Sequence, residues 1–150
     1  MTDDWTDALA ALIDADARFL VVGAHALAVH GVPRATQDLD VWVDPSPENA
    51  VRVWRALAAF GAPLDDLGIR VEDFSTPGTV VQVGLPPRRI DVLTAISGVE
   101  SFALAWGERV ERPVGGHRIP FIGREALIAN KRASGRLKDL ADIEALGGAP

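Results

Sequence analysis

Apolar residues along this chain recur at two distinct periods, and the alternation between those periods lays out the elements. Trp5, Leu9, Leu12 and Ile13 repeat at helical intervals behind Thr2, so the spacing predicts an amphipathic helix from Asp3 to Ala17. Phe19 to Val22 is wholly apolar and ends at Gly23, which suits a short buried strand. Ala24 to His30 returns to helical spacing and is stopped by Gly31 and Pro33. From Asp38 to Val43 the period becomes two: Leu39, Val41 and Val43 fall on one face, Asp38, Asp40 and Trp42 on the other. Pro47, behind Ser46, opens a helix that runs to Phe60 and stops at Gly61.

Between Ala62 and Gly78 the periodicity fades into loop chemistry. Thr79 to Val83 and Arg89 to Thr94 then read as two strands joined through Gly84-Leu85-Pro86-Pro87. A short helix is expected from Val99 to Trp106, and a second hairpin pairs Arg109–Val114 with His117–Ile122 around Gly115-Gly116. Arg124 to Leu146 is helical, interrupted near Gly135. No repeat, low-complexity tract or linker divides the chain, so residues 1–150 are expected to form a single α/β (α+β) domain. Its mixed β-sheet would be flanked by helices, with a helical segment at the C-terminus.

Composition narrows the function classes. The net charge is −6, from 15 Lys+Arg against 21 Asp+Glu, which opposes broad adhesion to nucleic acid. Cysteine is absent, so disulfides and Cys-ligated zinc are excluded, and the three histidines are too scattered for a zinc site. Met1 to Asp7 carries three aspartates and no basic residue, unlike a secretory signal, and no apolar run reaches the ~20 residues a membrane span needs. The expectation is a cytoplasmic protein.

Candidate chemistry concentrates at two places. Gly23-Ala24 sits where an apolar run meets a helical pattern, and such a small-residue turn can bring backbone N–H groups against a phosphate. Thirteen residues later (25–37) come Asp38 and Asp40, which a strand projects from one face. Asp91, between Ile90 and Val92, supplies a third carboxylate from another strand. Oxygen ligands suit magnesium, and two ions roughly 3.5–4 Å apart stabilise both the attacking and the leaving oxygens of a phosphoryl-group displacement. Without a cation, two carboxylates ~4 Å apart repel by about 4 kcal/mol at an effective dielectric of 20. Taken alone, Asp-Leu-Asp on a half-exposed sheet is an ordinary solvated face and Asp91 an ordinary edge residue; it is the combination with the Gly23 turn and the thirteen-residue gap that points to a metal site. Neither the G-x-G-x-x-G spacing of a dinucleotide-binding turn nor the G-x-x-x-x-G-K of a P-loop is present.

The stretch Val22-Gly23-Ala24-His25-Ala26-Leu27, continuing through Gly31 and Arg34-Ala35-Thr36 to Asp38-Leu39-Asp40, resembles the signature of the DNA polymerase β-like nucleotidyltransferase superfamily. More narrowly, the chain resembles the small bacterial nucleotidyltransferases related to abortive-infection toxins, whose late Lys-x-x-Ala…Arg…Asp helix the stretch Ile128-Ala129-Asn130-Lys131-Arg132-Ala133-Ser134-Gly135-Arg136-Leu137-Lys138-Asp139-Leu140-Ala141-Asp142 resembles. The resemblance runs from Phe19 to Leu146 and implies a nucleotidyltransferase-like fold. It also implies that Asp38, Asp40 and Asp91 hold two Mg²⁺ ions, with Asp91 helping to deprotonate an acceptor hydroxyl. Gly23 and Ala24 would present amides to the β- and γ-phosphates of an NTP, with Arg34 and Thr36 contacting phosphate or acceptor. One departure stands out: Ala24 replaces the usual Gly or Ser, keeping the amide and losing a hydroxyl donor.

Only two lysines occur, Lys131 and Lys138. In an unbroken helix Arg124, Lys131 and Lys138 would share one face, offering point charges to a triphosphate, with Asp139 and Asp142 fixing the array. The function expected is transfer of a nucleoside monophosphate from an NTP to a hydroxyl of RNA, protein or a small molecule, releasing pyrophosphate. A toxin–antitoxin or phage-defence setting, with a partner protein or a second copy, is what the narrower resemblance implies. Two other readings stay open: a non-catalytic nucleotide- or partner-binding module, which Ala24 favours, and a metal-dependent phosphohydrolase or nuclease using the same acids.

Overall fold

The computed structural model describes residues 1–149. In chain order the elements are α1 (Asp3–Asp14), β1 (Phe19–Val22), α2 (Gly23–Val29), β2 (Asp38–Val43), α3 (Pro47–Phe60), a 3₁₀ turn (Val71–Ser75), β3 (Val80–Val83), β4 (Arg89–Leu93), α4 (Phe102–Gly107), β5 (Val110–Val114), β6 (His117–Phe121), α5 (Arg124–Ser134) and α6 (Leu137–Ala145). Six strands form one sheet in the order β3-β4-β2-β1-β6-β5. Sequence neighbours β1–β2, β3–β4 and β5–β6 pair antiparallel, whereas β2–β4 and β1–β6 are parallel, so the sheet is mixed.

The helix ends follow local chemistry. Thr2 caps α1 by accepting from the Trp5 N–H, and Ser46 caps α3 from Asn49 with Pro47 in the first turn. Gly61 and Gly135 terminate α3 and α5 in left-handed conformation. α1 ends at Asp14, three residues before the expected Ala17, because Ala17 is drawn into the chain reversal that feeds β1.

β1 is buried at every position, as befits a strand inside the sheet, and Val41, Trp42 and Val43 continue that core on β2. Trp42 shares the acids' face but is only 2% exposed and meets Phe102 of α4 edge-on, so it belongs to the core. The segment read as plain loop from Ala62 to Gly78 contains the 3₁₀ turn, whose Phe74 is fully buried beside α3. A single aromatic anchors that stretch, too little to generate a periodic signal.

Candidate active site

Parallel pairing of β2 with β4 sets Asp38 opposite Arg89 and Asp40 opposite Asp91. Residues two apart on a strand project to the same side, so these four side chains form a square of charge on one face. Asp38, Asp40 and Asp91 each offer a carboxylate oxygen within 4.8 Å of the others, the one such group of three among the described residues. The three acids expected from the sequence are therefore brought together.

Their electrostatics are strained. Asp40 is pushed up to about 6, first by burial, then by the charges of Asp91 and Asp38, with Arg89 only partly offsetting them. Burial likewise lifts Asp91, against the pull of the Arg89 guanidinium. Asp91 Oδ1 is buried and makes no hydrogen bond: Arg89 Nε lies 3.1 Å away as an ion-pair contact, without hydrogen-bond alignment. A carboxylate-only donor set, one buried oxygen without a partner and a carboxyl that resists ionisation all fit a hard divalent cation.

Gly23 opens α2 at φ +68°, and a Cβ built there would collide with the Asp40 carboxylate. The glycine thus makes room for the acid as well as for the turn. Val22, at the N-cap, provides no side-chain hydrogen bond. The Gly23 and Ala24 amides, first in the helix, have no intrahelical acceptor. α2 has only seven residues, so any anion held here would rely on these amides rather than on a long helix dipole.

The facing wall comes from the segment before β2 and from α5–α6. Thr36 Oγ1 accepts from Asp38 N–H at 3.1 Å and donates to Asp38 C=O, fixing the start of β2. Arg34 Nη2 donates to Asp142 at 2.7 Å, tying that segment to α6. Gly135 breaks the late helix, so Arg124, Lys131 and Lys138 do not form the single stripe that continuity would give. Instead Arg124 bonds Glu125 and the Leu146 carbonyl, and Lys131 Nζ lies between Asp142 at 3.1 Å and Asp139 at 3.5 Å. Of the expected basic array, Asp139 and Asp142 hold Lys131 alone.

Two adjoining clefts of about 470 and 480 Å³ open over the acids. Gly23, Ala24, Arg34, Thr36, Asp38, Asp40, Lys131 and Lys138 line the first, and Asp91 lines the second, so every candidate site residue faces this space. Sequence reasoning missed two residues. Arg89 enters the acid square through the β2–β4 register, its only local signal being its position two before Asp91; Arg136, named only within the late helix and given no role, lines both clefts and donates from Nε to Asp139 at 2.7 Å. His25 lines neither cleft: burial lowers its pKa, and its ring meets Trp5 edge-on at 5.0 Å.

No protein-family profile matches the chain, and no curated protein matches it. Among solved structures, a candidate nucleotidyltransferase (TM1012) from Thermotoga maritima superposes with a TM-score of 0.59 at 18% identity, covering 93% of this chain and 86% of its own. The antibiotic-resistance factor ANT(2'')-Ia superposes with a TM-score of 0.56 at 16% identity, covering 95% and 80%. The fold is the nucleotidyltransferase-like mixed sheet flanked by helices.

Proposed function

We propose that this chain is a single-domain, Mg²⁺-dependent nucleotidyltransferase that moves a nucleoside monophosphate from an NTP to a hydroxyl acceptor and releases pyrophosphate. The observation that carries the reading is the convergence of Asp38, Asp40 and Asp91 against the Gly23 turn, on a fold shared with the two neighbours above. Divalent metal held by the three acids would neutralise phosphate charge and make the acceptor hydroxyl more acidic. Asp91 takes the acceptor's proton as the new O–Pα bond forms and the Pα–O bond to pyrophosphate breaks. The Gly23 and Ala24 amides, together with Arg136 and Lys138, bind the departing phosphates; Lys131, shared between two carboxylates, holds the wall in place and adds its field. Arg34 and Thr36 position the segment that carries the phosphate-facing edge.

RNA, protein and small molecules all present the required hydroxyl. The late Lys131…Arg136…Asp139 element, built into the cleft wall, supports kinship with the abortive-infection nucleotidyltransferases and hence a toxin–antitoxin or phage-defence role with a partner protein. No helix among the described residues is long and apolar enough to cross a membrane, in keeping with a cytoplasmic setting. Ala24 favours a second reading, a non-catalytic nucleotide- or partner-binding module of the same fold, because the hydroxyl donor is missing. Incubation with each α-labelled NTP and a cell extract separates the two. Wild type should transfer label to an acceptor, and Asp38→Ala and Asp40→Ala should not; label transferred equally by both variants would refute the assignment of the acids. Binding of NTP with Mg²⁺ in calorimetry, without any transfer, would establish the second reading instead.

A further inference from the structure

A fourth charged group stands inside the acid square, and the proposed transfer gives it no task. Arg89 Nη2 donates to Asp38 Oδ2 at 2.9 Å and to Asp91 Oδ2 at 3.3 Å, while Nε lies 3.1 Å from Asp91 Oδ1. The guanidinium therefore reaches both oxygens of Asp91 and one of Asp38; of the three acids only Asp40 lacks an ion pair with it.

We propose that Arg89 is a resident counter-ion that competes with the metal: it fills the cation position of the metal-free site and must withdraw from Asp91 before a divalent ion can bind. This rests on the metal-site reading above. Three features favour competition over buttressing. First, the guanidinium contacts Asp38 and Asp91 together, so a divalent ion held by the same two carboxylates would meet its positive charge at close range. Second, the Asp91 contacts are poorly aligned, a 3.3 Å bond from Nη2 and an Nε that lies 3.1 Å away without forming a hydrogen bond, unlike the 2.7 Å bond with which Arg136 holds Asp139. A clamp built to orient Asp91 would be aligned. Third, Arg89 is the first residue of β4 and its side chain is 28% exposed, so the guanidinium can swing into solvent without opening the core.

The test is Mn²⁺ binding to chelator-stripped protein without nucleotide, comparing wild type with Arg89→Gln and Arg89→Lys. Removing the competing charge should tighten Mn²⁺ binding about tenfold or more in the Gln variant. The Lys variant, whose single ammonium cannot span both acids, should fall between the two. A second readout is thermal stability: with chelator the Gln variant should melt below wild type, and Mn²⁺ should raise its melting temperature by more than it raises that of wild type. Equal or weaker Mn²⁺ affinity in both folded variants overturns the proposal and makes Arg89 a positioning residue, while leaving wild-type metal binding and label transfer intact. Absence of Mn²⁺ binding in all three proteins overturns both the proposal and the metal-site reading beneath it.

Discussion

Gly23 is held by two independent constraints, one in its own backbone and one across the sheet. Its φ of +68° costs an L-residue roughly 1–2 kcal/mol, and any Cβ would strike the Asp40 carboxylate. Gly31 offers the control, since it also has positive φ, +92°, but no atom lies within 4 Å of its would-be Cβ. Gly23→Ala should therefore lose stability and also displace Asp40, weakening Mn²⁺ binding about tenfold or more, whereas Gly31→Ala should show the backbone cost alone. Denaturant midpoints and Mn²⁺ titrations on the two variants check this; equal metal affinity in both would break the link between the turn and the acid. At this scale the sequence was readable wherever a strand's two-residue period applied. It placed Asp38 and Asp40 on one face and isolated Asp91 among apolar neighbours. The same period also puts Arg89 beside Asp91, but the second of two arginines at the start of a strand looks like an ordinary edge charge until the partner strand is known. Cross-strand register joins these residues, and nothing local encodes it.

At the scale of elements, the α5–α6 pair turns on one break. Gly135, at φ +66°, ends α5 and sends α6 back along it, so Lys131 meets Asp139 and Asp142 from the following helix instead of extending a stripe toward Lys138. The interruption could be read from Gly135, and Asp139 and Asp142 as partners of basic residues, but not which cations they hold, because that depends on the reversal angle. The 3₁₀ turn holding Phe74 was invisible for a related reason: one buried side chain in a loop has no period. Asp139 shows what the pairing is worth. Burial by itself would raise its pKa, but the hydrogen bonds and charge of Arg136, with the charge of Lys131, outweigh that and hold it below the ordinary value of 3.8. A carboxyl depressed in the fold contributes stability that is complete above its unfolded pKa and is lost as pH falls through its folded pKa. Urea denaturation of wild type should therefore show stability dropping below about pH 4 more steeply than in Asp139→Asn, which lacks the titrating group. Parallel pH profiles for the two proteins would show that Asp139 contributes no such linkage.

Across the whole molecule, charge is segregated around the cleft although the net value is −6. Three aspartates with one arginine form the floor, and Arg34, Lys131, Arg136 and Lys138 stand around Asp139 and Asp142 on the facing wall. Neither ligand of the proposed reaction suits this arrangement by itself. A polyphosphate alone has the acids beneath it, and a divalent ion alone must enter past Arg89 with the cationic wall nearby. Bound together, each neutralises what opposes the other, so the cleft should couple them positively. Coupling between sites is reciprocal in free energy and typically amounts to about 5–150-fold. Titration with an NTP analogue that cannot be cleaved between Pα and Pβ should show Mg²⁺ tightening nucleotide binding within that range, and the analogue tightening metal binding by the same factor. In Asp40→Asn the coupling should collapse toward unity while nucleotide alone binds no worse, because a repelling charge has been removed from the floor. If the two ligands bound wild type independently, the acid floor and the cationic wall would not be acting on one substrate.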